Sequence, residues 1–193
     1  MKSKFLFFFL FALSCSSDYS PKSRGYFYIE LPDPVYHDFI RYPFFKYSVS
    51  DQVIVTELKD ESLREKEKSP MEFIMNYPRF QAHILCSYFK INSLEFSTLS
   101  EENSRMISVL GKKAKEIKAV AYNHSEQNVY GLVYELNGNL ISPLQFVISD
   151  SIHSYFRGVL YFDTVLDRDS IAPVLTYISK DIQVMIESFQ WKQ

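Results

Sequence analysis

Val129-Tyr-Gly-Leu-Val-Tyr-Glu-Leu-Asn137-Gly138-Asn-Leu-Ile-Ser-Pro-Leu-Gln-Phe-Val-Ile-Ser149 is the stretch that decides the fold. Two β-rich runs, Val129–Leu136 and Asn139–Ser149, flank an Asn-Gly pair suited to the positive φ angles of a tight primed turn, so the stretch predicts an antiparallel hairpin. Upstream, Leu99–Glu116 predicts a helix: Thr98 and Glu101 have capping-box spacing, and Met106, Val109, Leu110, Ala114 and Ile117 recur on one face. Lys118–Tyr122 returns to strand. Downstream, Tyr155–Thr164 predicts another strand, with Gly158 as a bulge or a close packing point. The best-defined element closes the chain. Ile171, Val174, Leu175, Ile178, Ile182, Met185, Ile186 and Phe189 trace one apolar stripe, with Ser170 or Asp169 as cap and Pro173 in the first turn.

The N-terminal half reads as strands. Gly25–Leu31 is a β-rich run closed by Pro32-Asp-Pro34. Pro43–Val49 and Val53–Leu58, separated by Ser50-Asp51-Gln52, predict a second hairpin, and Met71–Met75 and Phe80–Phe89 predict strands around Asn76-Tyr77-Pro78-Arg79. Lys59–Lys68 mixes both charge signs around a single large apolar residue, Leu63, and reads as a solvated loop or short exposed helix. Strands, helix, strand meander and helix in that order predict an α+β fold, a mostly antiparallel β-sheet with flanking helices, in a single domain over residues 25–193.

Composition narrows the function classes. A net charge of -2 over 193 residues argues against a protein that grips nucleic acid through its phosphates. The 5 glycines are too dispersed for a phosphate-cradling loop, and 2 cysteines and 4 histidines are too scattered for a structural zinc site, so no cofactor or metal is expected.

The first residues are not part of the fold. Lys2 and Lys4 precede a continuous apolar run, Phe5–Leu13, of signal-peptide length and well short of the ~20 residues that span a bilayer. The run ends in Ala12-Leu13-Ser14-Cys15, which resembles the lipobox at which bacterial lipoprotein precursors are cut, although Ala12 stands where leucine is usual. The alternative is a plain secretory signal followed by an incidental cysteine. On the lipobox reading, residues 1–14 are the signal, Cys15 carries fatty acyl chains such as palmitate, and residues 15–24 are a polar tether. Ser16 rather than aspartate after the cysteine favours the outer membrane under the enterobacterial sorting rule. Cys86 then has no intramolecular partner and reads as a small buried hydrophobe in a strand.

Ser149-Asp150-Ser151-Ile152-His153 is the densest polar stretch. Asp150, Ser151 and His153 could serve as orienter, nucleophile and base of an envelope hydrolase. The favoured reading is a turn whose side chains satisfy backbone N–H groups, since triad members normally converge from separate segments and no Gly-x-Ser-x-Gly elbow is present. Asp163, Asp167 and Asp169 lack the glycine and glutamate of a calcium loop, and His37, His83 and His124 are isolated. A small-ligand carrier is a further alternative, predicting a deep pocket between helix and sheet.

Several phrases in order along the chain resemble the gliding motility lipoprotein GldD family of Bacteroidetes-type bacteria. They are Pro21-Lys22-Ser-Arg24-Gly25-Tyr26, Pro43-Phe44, Tyr77-Pro78-Arg79-Phe80, Val129-Tyr130-Gly131, Gln145-Phe146, Asp150-Ser151, Arg157-Gly158-Val-Leu-Tyr161-Phe162, Asp169-Ser170-Ile171-x-Pro173, Asp181-Ile182 and Trp191-Lys192. The resemblance implies a non-enzymatic, lipid-anchored, periplasm-facing envelope protein needed for gliding and for type IX secretion. It would act by binding other gliding and secretion lipoproteins and envelope proteins, and it would be held to the membrane by acylated Cys15. Arg24, Tyr26, Tyr77, Arg79, His153 and Arg157 are the expected partner-binding or structural positions, Arg157 having the alternative of pairing with a strand carboxylate. The chain departs from the family in carrying Tyr42 and Met71 where cysteines are common, and Leu140-Ile141 where small residues follow the Asn-Gly pair. Separately, the element order is similar to the PsbP-like α/β/α sandwich, a fold used mostly for docking.

Overall fold

A computed structural model describes residues 29–58, 70–138, 140–163 and 168–192. The elements are β1 (Tyr36–Phe39), β2 (Phe45–Ser50), β3 (Ile54–Glu57), β4 (Met71–Tyr77), β5 (Ala82–Lys90), α1 (Ser93–Gly111), β6 (Glu116–His124), β7 (Val129–Asn137), β8 (Leu144–Ser149), β9 (Ser154–Phe162), α2 (Arg168–Ser188) and β10 (Gln190–Trp191). Seven strands form one sheet in the order β3-β4-β5-β9-β8-β7-β6, and β1-β2-β10 form a small second sheet. Every pairing is antiparallel. The fold is α+β.

The large sheet is two meanders, β3–β5 and β6–β9, joined along β5 and β9, whose register runs from Ala82 opposite Phe162 to Lys90 opposite Ser154. The period-two alternation of β5, with Ile84, Cys86 and Tyr88 buried and the residues between them half-buried, assigns its two faces. One face packs on α2, whose stripe Ile171, Val174, Leu175, Ile178, Ile182, Met185 and Ile186 is buried, as the periodicity predicts, together with Phe189 just beyond the helix end. The small sheet closes the same side. Phe45 and Tyr47 of β2 stack on Phe189 at centroid distances of 5.5 and 5.9 Å, and the Trp191 ring meets Phe189 edge-on at 4.7 Å. Lys192 finishes the closure, its backbone N–H donating to Phe44 O and its ammonium to the carbonyls of Ile40 and Tyr42. The opposite face carries α1: Phe96 meets Tyr155 of β9 edge-on, and Ile107 is buried.

Several sequence expectations change. Ser50-Asp51-Gln52 does not turn a hairpin, because β2 pairs with β1 and β10 whereas β3 pairs with β4 in the other sheet. Of the Gly25–Leu31 run, residues 29–31 are irregular and the rest lies outside the described residues; the first strand is instead Tyr36–Phe39. Lys59–Lys68 also lies outside the described residues. The first helix starts six residues before Leu99: Asn92 is its cap, accepting from Leu94 N and Glu95 N at 3.0 Å, while Glu95 Oε2 accepts Asn92 N–H at 2.9 Å. Thr98 is inside the helix, its hydroxyl donating to Leu94 O. The helix ends at Gly111 because Leu110 O takes the N–H of both Lys113 and Ala114, and Lys115 N–H leaves for Asn137 O in the sheet. The β7–β8 hairpin forms, but its connection is residues 138–143, longer than a two-residue turn, and Pro143 contributes only its carbonyl, to Leu136 N–H. The last helix begins at Arg168, so Asp169 and Ser170 are within it rather than capping it and Pro173 lies beyond the first turn. Gly158 makes no bulge. It is a packing point, since a Cβ there would overlap the Phe146 ring.

Candidate functional site

The sequence-selected residues do not converge. Tyr77 ends β4 and Arg79 lies in the turn to β5, next to Ala82; His153 lies beyond the other end of β5, beside Lys90 and its partner Ser154. Arg157 sits mid-strand on the α1 face, with its guanidinium against Met106 Sδ, and no carboxylate of the described residues forms an ion pair with it. Cys15, Arg24 and Tyr26 lie outside the described residues.

Tyr77 is buried rather than presented, 1% exposed, beside a polar cluster on α2. Asp181 interrupts the apolar stripe there at 5% exposure, and Tyr36 donates to its Oδ1 at 2.8 Å. Burial raises the Asp181 carboxyl above the usual carboxylate range, with the Tyr36, Ser50 and Tyr77 hydroxyls pulling the other way. Arg79 is exposed, and Nη2 donates to Glu30 O at 3.0 Å.

The Asp150–His153 segment is a turn. Asp150 Oδ1 accepts the backbone N–H of Ile152, His153 and Ser154 at 2.7–2.9 Å, which makes Asp150 the acceptor that closes the turn. His153 is exposed, with Nδ1 3.9 Å from Asp150 Oδ2, beyond hydrogen-bond reach. Ser151 has φ +67° and donates its N–H to Ser149 Oγ.

Behind this turn, between helix and sheet as the small-ligand alternative expects, the structure brings together residues that the sequence reading did not select. A cavity of about 210 Å³ lies between α1 and the large sheet, lined by Phe96 and Asn103 of α1, Tyr130 and Tyr134 of β7, Ser149 of β8 and Tyr155 of β9. Asn103 is 5% exposed, and its amide makes no hydrogen bond to any described residue. The Tyr155 hydroxyl is buried without a partner, and burial pushes it up to about 12, so it stays protonated. The signal in the sequence was an asparagine three and four residues before Met106 and Ile107, an inward position of the helix.

Among the described residues no helix is long and apolar enough to cross a membrane. The family model for the gliding motility lipoprotein GldD matches residues 16–191. The chain belongs to that family. No curated protein matches the chain. Membership supports a role in gliding motility, and a GldD lipoprotein is a lipid-anchored envelope protein. Several phrases carrying the resemblance to GldD hold the fold together: Tyr77 and Asp181 meet in the buried cluster, Gly158 makes room for Phe146, and Trp191-Lys192 fastens the small sheet. Tyr42 packs on Phe73, two residues along β4 from Met71.

Proposed function

We propose that the chain is an anchored component of the gliding and type IX secretion machinery that works by binding other envelope proteins rather than by catalysis. The observation that carries this reading is the family match, which starts at residue 16, directly after the lipobox-like Ala12-Leu13-Ser14-Cys15, and continues to residue 191. Acylated Cys15 confines the domain to a membrane surface, the outer membrane on the evidence of Ser16, and raises its effective concentration for membrane-bound partners. Arg79 and His153, exposed at opposite ends of the large sheet, together with Arg24 at the end of the tether and Tyr26 just after it, are the contact positions; Tyr77 and Arg157 support them from within. The 3.9 Å between His153 Nδ1 and Asp150 Oδ2, beyond hydrogen-bond reach, supports binding over hydrolysis.

Affinity purification of the tagged full chain from detergent-solubilised envelopes, beside a Cys15→Ala control, tests this. Other gliding or secretion proteins should co-purify and be lost from the control. Recovery of the protein alone after mild crosslinking would overturn the reading.

A further inference from the structure

We propose that the cavity beneath α1 binds a single neutral sugar ring. This is independent of the partner-binding reading above.

Size sets the first limit. About 210 Å³ far exceeds the ~10–15 Å³ that a single structural water requires, and falls below the ~300 Å³ at which pockets for drug-sized ligands begin. One six-membered ring with its substituents is the ligand of that scale. Charge sets the second. No lysine, arginine, histidine, aspartate or glutamate is among the lining residues, and the charges that act on Tyr155 from outside the lining, Arg157 and Glu102, are of opposite sign, so an ionised ligand would lose hydration with no charged side chain in contact.

The lining selects among neutral rings. Phe96, Tyr130, Tyr134 and Tyr155 supply flat apolar faces, whereas Ser100, Asn103, Ser104 and Ser151 supply hydroxyl and amide groups. Asn103 matters most, because it is 5% exposed and its amide has no hydrogen-bond partner among the described residues; such a group costs stability unless something hydrogen-bonds to it. The Tyr155 hydroxyl is sealed within the wall, so Tyr155 offers the ligand its ring and not its phenol. A purely apolar ring would leave the amide unsatisfied. A pyranose offers C–H faces to the rings and hydroxyls to the amide at the same time. The Ser151 backbone, held at φ +67° by the Asp150 turn, fixes that side of the wall.

The test is titration calorimetry on the full chain in a zwitterionic detergent that carries no sugar. The probes are methyl β-glucoside and N-acetylglucosamine, with glucuronate as the charged comparison. At least one neutral probe should bind saturably, in the millimolar range expected of so few ligand atoms, and glucuronate should bind at least tenfold more weakly. Asn103→Leu should abolish binding, whereas Tyr155→Phe removes a hydroxyl sealed from the cavity and should leave both folding and binding intact. Absence of saturable binding by folded protein overturns the proposal, as does binding that Asn103→Leu leaves unchanged or that glucuronate matches.

Discussion

The Tyr36 hydroxyl donates to Oδ1 of Asp181 at 2.8 Å, joining two residues 145 apart in the sequence. That bond fastens the edge strand of the small sheet to the middle of α2, at the one acidic position in the buried apolar stripe. Its carboxyl is raised by burial, which fixes the sign of its effect on stability. Below the ordinary carboxylate range both folded and unfolded chains hold the proton. As pH rises, the unfolded chain releases it first, so stability falls until the folded carboxyl also ionises and stays at that lower level above it. Asp181→Asn keeps an acceptor for Tyr36 and removes that titration. Urea denaturation over a pH series upward from pH 4 should show the variant gaining on the parent and the gain levelling off once the folded carboxyl ionises; a difference that falls as pH rises would contradict the assignment.

Gly158 faces the Phe146 ring with no room for a side chain. Gly158→Ala should destabilise the domain by about 1–3 kcal/mol, the usual cost of overpacking. Combining it with Phe146→Leu should recover part of the loss, because the overlap is with the ring itself. Additive losses in the double variant, measured by the same denaturation, would place the strain elsewhere.

Asn92 should matter at the start of α1 and Thr98 should not. Asn92→Ala removes the acceptor for two helix N–H groups and should cost ~1 kcal/mol. Thr98→Ala removes only a hydroxyl bonded back to Leu94 O, and its unfolding midpoint should stay within error of the parent's.

Ser151 provides a clean separation of turn from nucleophile. Its φ of +67° favours glycine, so Ser151→Gly should raise stability by up to ~1 kcal/mol and preserve motility or secretion in cells. Asp150→Ala should lower stability by ~2 kcal/mol through loss of the three N–H acceptor contacts. Loss of cellular function in a stable Ser151→Gly protein would instead support a hydrolase.

Burial pushes the Cys86 thiol well above its ordinary range. It should resist maleimide in the native protein and label fully in urea, a result readable by mass.

Legibility in the sequence followed the range of the forces involved. The stripe of α2 and the strands of the β6–β9 meander were legible because a helical or two-residue period is written locally. β2 was legible as a strand, but its partners were not: it pairs with Trp191, and Ser48 N–H reaches Ser188 Oγ, contacts that no local turn signal records. Asn92 with Glu95 had the spacing of a cap, but Thr98 with Glu101 offered the same spacing nearer the apolar residues. The cavity is assembled from α1, β7, β8 and β9, so the proximity of Asn103 to Tyr155 is a product of the fold alone. Asp181 was written plainly enough, a carboxylate beside Ile182.

The closure of the small sheet by Trp191 and Lys192 has a bearing on the order of folding. β2 obtains its second neighbour only from a segment far downstream of it. The aromatic stack of Phe45, Tyr47 and Phe189 is likewise incomplete until the residues beyond α2 have joined it. Early closure of the small sheet by its own neighbours is therefore disfavoured by topology, because the contacts that lock it are far apart in sequence. Residues 190–192 act as a latch that closes after the parts it fastens.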